Sequence, residues 1–249
     1  MIRLNEVNTR WWGAPAGIVD DPGFFALPED ERVRALAPYR WVEFKSAFAG
    51  APPLAAMARA GFFLADVQIA FRIALKDGGG PCGERLTVRF ADEAGFGYLE
   101  HDLASFEHER YVHLPGHTPE RLNARYADWG RQLICEHPGT CLAVLSEGEA
   151  QGWFLSQPAV TGLNLTLAVA HRQTRISGFL LYEKSLAAYA AKGHRVGFAS
   201  FSVMNTAVHN IYAKLGARFT APMGVWLWIA TGSGESVQTW RSAPQLLTP

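Results

Sequence analysis

The stretch Leu163–Gly216 reads LNLTLAVAHRQTRISGFLLYEKSLAAYAAKGHRVGFASFSVMNTAVHNIYAKLG. Leu163, Leu165, Leu167 and Val169 alternate with Asn164, Thr166 and Ala168, the period of a half-buried strand. A polar turn, His171–Arg175, follows. Phe179, Leu180, Leu186, Ala187 and Ala190 then recur at helical spacing, and Lys192-Gly193 supplies a stop. Val196–Phe201 reads as a second strand. Asn205 precedes a short helix whose face carries Val208, Ile211, Tyr212 and Leu215, closed by Gly216. A helix that starts straight after a strand and a turn aims unpaired N–H groups and a positive dipole end at one point, a seat for an anion such as phosphate. Ser177 and Gly178 are small enough to let a diphosphate approach the backbone.

This stretch resembles the acyl-CoA-binding half of the GNAT acetyltransferases. That family carries a Gln/Arg-x-x-Gly-x-Gly/Ala loop between a strand and a helix. Gln173 falls on its first position and Gly178 on its last, while Ile176 stands where the family has a middle glycine. Further on, the family's Asn, then a helix with Tyr, then Leu-Gly is matched by Asn205, Tyr212, Leu215 and Gly216. The resemblance covers residues 86–230. It implies an α/β (α+β) GNAT fold with a mixed central sheet, and acetyl-CoA as co-substrate. The loop Gln173, Thr174, Arg175, Ile176, Ser177 and Gly178 would hold the diphosphate. The strand Leu167 to Val169 would offer backbone N–H groups to the pantetheine arm and the acetyl oxygen. Asn205 would bond the pantetheine or stabilise the strand end, and Tyr212 would donate a proton to the departing sulfur. A phenol suits that task because its ordinary pKa lies within about two units of a thiol's.

Three looser segments resemble the sugar-amine branch of the family, the dTDP-fucosamine acetyltransferases: Trp12–Gly17, the run Ser105-Phe106 to Arg110-Tyr111 with Tyr126 and Trp129, and Val225–Trp228. They imply a small-molecule amine acceptor on a nucleotide sugar. Another small-molecule or protein amine, and a non-catalytic CoA-binding module, stay open beside it. The acceptor's base is among Glu100, Glu107, His108 and His113, or is a water chain. His171 and His209 read as packing or surface residues.

Composition bounds these readings. The chain has 249 residues, 49% hydrophobic and 18% charged, enough for a substantial core. Lys+Arg and Asp+Glu both number 23, so no basic face for nucleic acid is expected. The start, Met1–Glu6, lacks a secretory apolar core. The apolar run Leu54–Leu75 is broken by Arg59, Asp66, Gln68 and Arg72, so no membrane span is expected. Three widely spaced cysteines fit the reduced thiols of a cytoplasmic protein. The resemblance is also compatible with a homodimer.

The remaining chain divides by pattern. Residues 1–75 read as a small α/β domain with a strand at Trp41–Phe44, a helix at Pro52–Ala60 and a strand at Phe62–Leu75. Ala58–Phe63 echoes Ala213–Arg218. Two readings stand: a common helix-to-strand connection, or a degenerate half-copy of the catalytic fold. Lys76–Arg85, with three consecutive glycines and a proline, reads as a linker. Residues 86–230 form the GNAT domain, with a strand at Leu86–Phe90 and a helix at Ala91–Leu103. The histidine-rich run His101–His117 is open to three readings: metal site, solvated loop or acceptor-site lining. The spacing does not favour metal. Thr118-Pro119 caps a helix to Glu136, with Leu122, Tyr126, Trp129 and Leu133 on one face. Thr140–Leu145 and Ala150–Leu155 make a hairpin, Phe219–Ile229 finishes the sheet, and 231–249 reads as a tail of low order.

Overall fold

The computed structural model describes residues 1–76 and 86–230. The expected tail and nearly all of the expected linker lie outside them. In chain order the elements are β1 (Ile2–Leu4), α1 (Glu6–Trp12), β2 (Ala16–Val19), α2 (Glu29–Leu36), β3 (Trp41–Ala47), α3 (Leu54–Arg59) and β4 (Phe63–Ala74). Then come β5 (Leu86–Phe90), α4 (Pro119–Glu136), β6 (Cys141–Ser146), β7 (Glu149–Ala159) and β8 (Gly162–Ala170). The chain continues through α5 (Gly178–Ala191), β9 (Val196–Ser202), α6 (Thr206–Lys214), β10 (Arg218–Phe219) and β11 (Met223–Ile229).

The chain forms two compact units. The first holds Met1–Val67, Arg110–Gly116 and the chain from Pro222; the second holds Gln68–Glu109 and His117–Ala221. The physical reason is strand pairing. β11 pairs antiparallel with β3, Trp226 opposite Phe44, which ties the last strand to the first residues of the chain. Pro222, which cannot donate to a ladder, stands between β10 and β11, so Phe219–Ile229 is two strands and not one.

In the first unit β1 pairs antiparallel with β2, β2 parallel with β3, and β3 antiparallel with β11. One face of this mixed sheet buries Val42, Phe44 and Trp226 with Phe24, Phe25, Leu36, Met57 and Phe62. The other face carries Trp41 and Glu43, 1% and 5% exposed. Segment Arg110–Gly116 covers them. Arg110 pairs with Glu43 and donates to the Tyr111 hydroxyl (2.8 Å), which also accepts from Asn8 Nδ2 (2.9 Å). Trp12 and Trp41 pack edge-on against the Tyr111 ring. Burial pushes the Glu43 carboxyl up, but Arg110 and then Lys45 more than offset that and hold it below the usual carboxylate range.

In the second unit the order is β5-β6-β7-β8-β9-β4, with β10 beside β4. All pairs are antiparallel except β8–β9. A parallel pair needs a crossover, and α5 supplies it. The buried face of α5 is Leu181, Tyr182, Ser185, Leu186, Tyr189 and Ala190, so Phe179, Leu180 and Ala187 are only partly buried. α4 buries Leu122, Tyr126, Ala127, Gly130 and Leu133 and is capped by Thr118 as expected, with Trp129 half-buried beside Tyr126. The β6–β7 turn has left-handed Glu147 and Gly148 (φ 53° and 86°), a two-residue hairpin.

The expected helix Ala91–Leu103 does not form. Gly95 and Gly97 disfavour it, and the chain makes turns and a short 3₁₀ segment, Glu100–Asp102. The Gly97 carbonyl is needed elsewhere, accepting from Trp153 Nε1 at 3.0 Å. Gly61 and Gly216 are both left-handed (φ 79° and 83°) and close their helices with the same pair of backbone bonds, a geometry that both readings of the internal echo share.

One defect in the second sheet matters most. Between Leu155↔Leu167 and Gln157↔Asn164, β8 carries one extra residue, a bulge at Leu165–Thr166. The bulge reverses which side chains face which way. Leu163 and Leu165 pack in the core that holds α5, whereas Leu167 and Val169 pack on the opposite face with α4. The simple alternation expected for Leu163–Val169 is therefore broken midway.

Candidate active site

β8 and β9 pair only at Leu163↔Gly197 and Asn164↔Phe198. Beyond them β8 runs on to Ala170 and β9 to Ser202 without a shared ladder. The separation begins at the bulge, where added twist bends a strand away from its neighbour. Where the strands meet, a Cβ on Gly162 would lie 2.3 Å from the Val196 carbonyl oxygen, and one on Gly197 2.8 Å from Leu165 Cδ1. Gly162→Ala is expected to wedge this junction and cost about 2–3 kcal/mol in urea unfolding; an unchanged midpoint would show that the junction yields freely.

The backbone of β8 beyond the bulge points in two directions. The His171 N–H donates to the Gln151 carbonyl (2.9 Å), and by ladder alternation Leu167 and Val169 also direct N–H and C=O toward β7. Ala168 and Ala170 therefore face the opening. The Ala170 carbonyl accepts from the Ala104 N–H (3.1 Å), so the Asp102–Ala104 segment lies along that side of the strand end. Within the expected strand stretch, the Ala168 N–H points away from β7, whereas those of Leu167 and Val169 point toward it.

The loop after β8 divides its N–H groups into two sets. Gln173 donates to His171 Nδ1 (3.0 Å), Thr174 to the His171 carbonyl (2.9 Å) and Arg175 to Gln151 Oε1 (2.7 Å). Among the described residues, the N–H groups of Ile176, Ser177, Gly178 and Phe179 have no acceptor. They sit at the start of α5, where Ser177 Oγ caps the Leu180 N–H. The Ile176 side chain is half-buried and folded onto the core, which is how a branched residue is accommodated where glycine was expected. The Gln173 and Arg175 side chains are exposed, and Arg175 lies 3.7 Å from Glu149.

Tyr212 lies on α6 with its ring 3% exposed, 4.0 Å from the Phe71 ring centre, 5.1 Å from Tyr182 and 6.0 Å from Phe201. Among the described residues nothing hydrogen-bonds its hydroxyl, and that oxygen is not one of the fully enclosed orphaned polar atoms. The ring is locked in the core. Burial first, then Tyr182 and Tyr189, holds its pKa well above the ordinary phenol value. Asn205 caps α6, its side-chain oxygen accepting from the Val208 N–H (3.2 Å).

The histidine-rich run does not gather. His113 bonds the Ala65 carbonyl (3.1 Å) within the first unit, His101 lies 3.4 Å from Asp102, and His108 is exposed. No group of three His, Cys, Asp or Glu residues among the described residues could hold a metal. No helix among them is long and apolar enough to cross a membrane.

Solved structures share this architecture. A GCN5-related N-acetyltransferase from Sphaerobacter thermophilus matches with a TM-score of 0.50 and 16% identity, over 76% of this chain and 59% of that one. A tandem GNAT protein from the clavulanic acid biosynthesis pathway matches with a TM-score of 0.51 and 15% identity, over 89% and 77%. The fold is that of the GNAT N-acetyltransferases. A functionally unknown conserved protein from Staphylococcus epidermidis ATCC 12228 also matches, with a TM-score of 0.53 and 11% identity over 87% and 85%. The chain spans about three fifths of the Sphaerobacter protein, 59% of its length. No family model and no curated protein sequence matches the chain. The separated parallel strands, the open loop and the tyrosine thus sit on a GNAT scaffold. Gln151 and Ala168 were not singled out by the sequence; the one available signal was a glutamine between the apolar residues of a strand, a polar group that burial obliges to find a partner.

Proposed function

We propose that the chain is an acetyl-CoA-dependent N-acetyltransferase acting on a primary amine. The observation that supports this most directly is the gap between β8 and β9 beside open N–H groups at the start of α5. Acetyl-CoA would supply a thioester-activated acetyl group. The N–H groups of Ile176 to Phe179 fit its diphosphate, because donors at a helix start are complementary to an anion and nothing among the described residues satisfies them. The Ala168 N–H is available to the thioester oxygen, where a donor would stabilise charge that develops as the amine attacks. Tyr212 would protonate the departing sulfur, its neutral form secured by burial. The amine's proton leaves to water or to a side chain that the geometry does not single out.

The acceptor we favour is a nucleotide-linked aminosugar. Its support is the resemblance carried by Trp12–Gly17, Ser105–Tyr111 and Val225–Trp228. Trp12, Arg110 and Tyr111 from those segments meet around buried Glu43 in the first unit. We read that unit as a degenerate half-copy of the fold, a reading supported by the match to a tandem GNAT protein.

The direct test is ligand-induced stabilisation. CoA or acetyl-CoA at about 100 times its Kd should raise Tm by roughly 5–10 °C. Thiol release from acetyl-CoA should then depend on an added amine, with nucleotide aminosugars turned over faster than simple amines. No stabilisation by any CoA would overturn the transferase reading; equal rates for all amines would overturn the sugar acceptor alone.

A further inference from the structure

We propose that Gln151 is the positioning residue of the diphosphate loop, aligning the open N–H groups without touching the ligand. The inference rests on the transferase reading above. Gln151 sits on β7, only 3% exposed, in a strand whose neighbours Trp153 and Leu155 are core residues. A buried amide needs partners at both ends. Its Nε2 donates to the Glu149 carbonyl (3.2 Å), which fixes which way the amide faces and turns Oε1 toward the loop. Oε1 accepts the Arg175 N–H at 2.7 Å and the Thr174 hydroxyl at 3.4 Å.

That contact falls at the border between the two sets of N–H groups. Everything up to Arg175 is bonded inside the protein; everything from Ile176 to Phe179 is open. Peptide planes in sequence are coupled through their dihedrals, so pinning the Arg175 N–H inward limits how the next planes can turn. His171 holds the earlier plane through Gln173, and its own ring lies 3.7 Å from Asp102 and against Trp153. Gln151 is thus the last internal restraint before the seat, and the seat is preorganised by it.

The discriminating experiment compares two ligands. CoA carries the diphosphate; pantetheine has the same thiol arm and none. Calorimetry on wild type and Gln151→Met, a near-isosteric change that removes the acceptor, should show CoA affinity falling about tenfold with pantetheine affinity unchanged. Unchanged CoA affinity would overturn the inference. So would equal losses for both ligands, which would mark a general structural role. If wild type binds neither ligand, the transferase reading fails and this inference with it. A second measurement needs no variant and covers a misfolded one. In wild type the Arg175 amide should exchange slowly with solvent deuterium before and after CoA, while those of Ile176 to Gly178 exchange fast and become protected only on adding CoA. An Arg175 amide as labile as its successors would overturn the proposal.

Discussion

Tyr212→Phe is expected to lower kcat for amine-dependent thiol release by about 100-fold or more while CoA affinity stays within about twofold. The size follows from the role. A thiolate leaving without a proton must be expelled as an anion into a largely apolar surrounding, and in the proposed mechanism the phenol prevents that. The structure says the variant will fold. The ring is held by Phe71, Tyr182 and Phe201, all of which phenylalanine would still meet, and the hydroxyl makes no hydrogen bond to a described residue. Loss of the oxygen should therefore leave the urea midpoint nearly unchanged. Because burial keeps the phenol protonated well past pH 10, the rate should show no alkaline fall below that pH that Tyr212→Phe abolishes. Equal kcat in both proteins would remove Tyr212 from the mechanism and leave the strand gap and loop as a binding site only.

The second large effect is on stability at high pH. Tyr98, Tyr182, Tyr189 and Tyr212 are all held above the ordinary phenol pKa, chiefly by burial. The buried Cys141 thiol is pushed up to about 11. The sign follows from proton counting. Below pH 10 both folded and unfolded phenols are protonated and contribute nothing. Above it the unfolded chain releases protons that the folded chain retains, so unfolding becomes favourable. Each tyrosine removes up to about 1.4 kcal/mol of stability per pH unit, and Cys141 begins to act near pH 9, its ordinary value. Urea unfolding between pH 8 and 11.5 should show a plateau and then a steep fall. Tyrosinate absorbance should rise with unfolding rather than before it. Titration of these phenols in a still-folded protein would show that the core is more open than it looks.

What could be read from the residues was whatever is decided within a few positions along the chain. Thr118, Ser177 and Asn205 cap the helices that follow them, since a short polar side chain reaches its own backbone two or three residues on. Glu147-Gly148 and Gly216 make the turn and the helix stop that their types allow. The run strand–loop–helix–strand–helix came from such signals placed in order; the GNAT architecture was expected from the family resemblance that this run carries. Tyr212 was singled out by that resemblance, from its place between Asn205 and Gly216.

The rest depended on which strand pairs with which, and at what register. A single extra residue at Leu165–Thr166 moved Leu167 and Val169 to the opposite face and turned the Ala168 N–H toward the gap; because strands have a period of two, no local pattern announces such a slip. β11 pairs with β3, far earlier in the chain, and Arg110–Gly116 joins the first unit, where Arg110 meets Glu43 and Tyr111 meets Trp41. Gln151 became the loop's anchor only when the β7–β8 ladder carried it next to Arg175, 24 positions away along the chain. Local propensity selects the elements. Long-range pairing, which acts between residues far apart in sequence, selects the site.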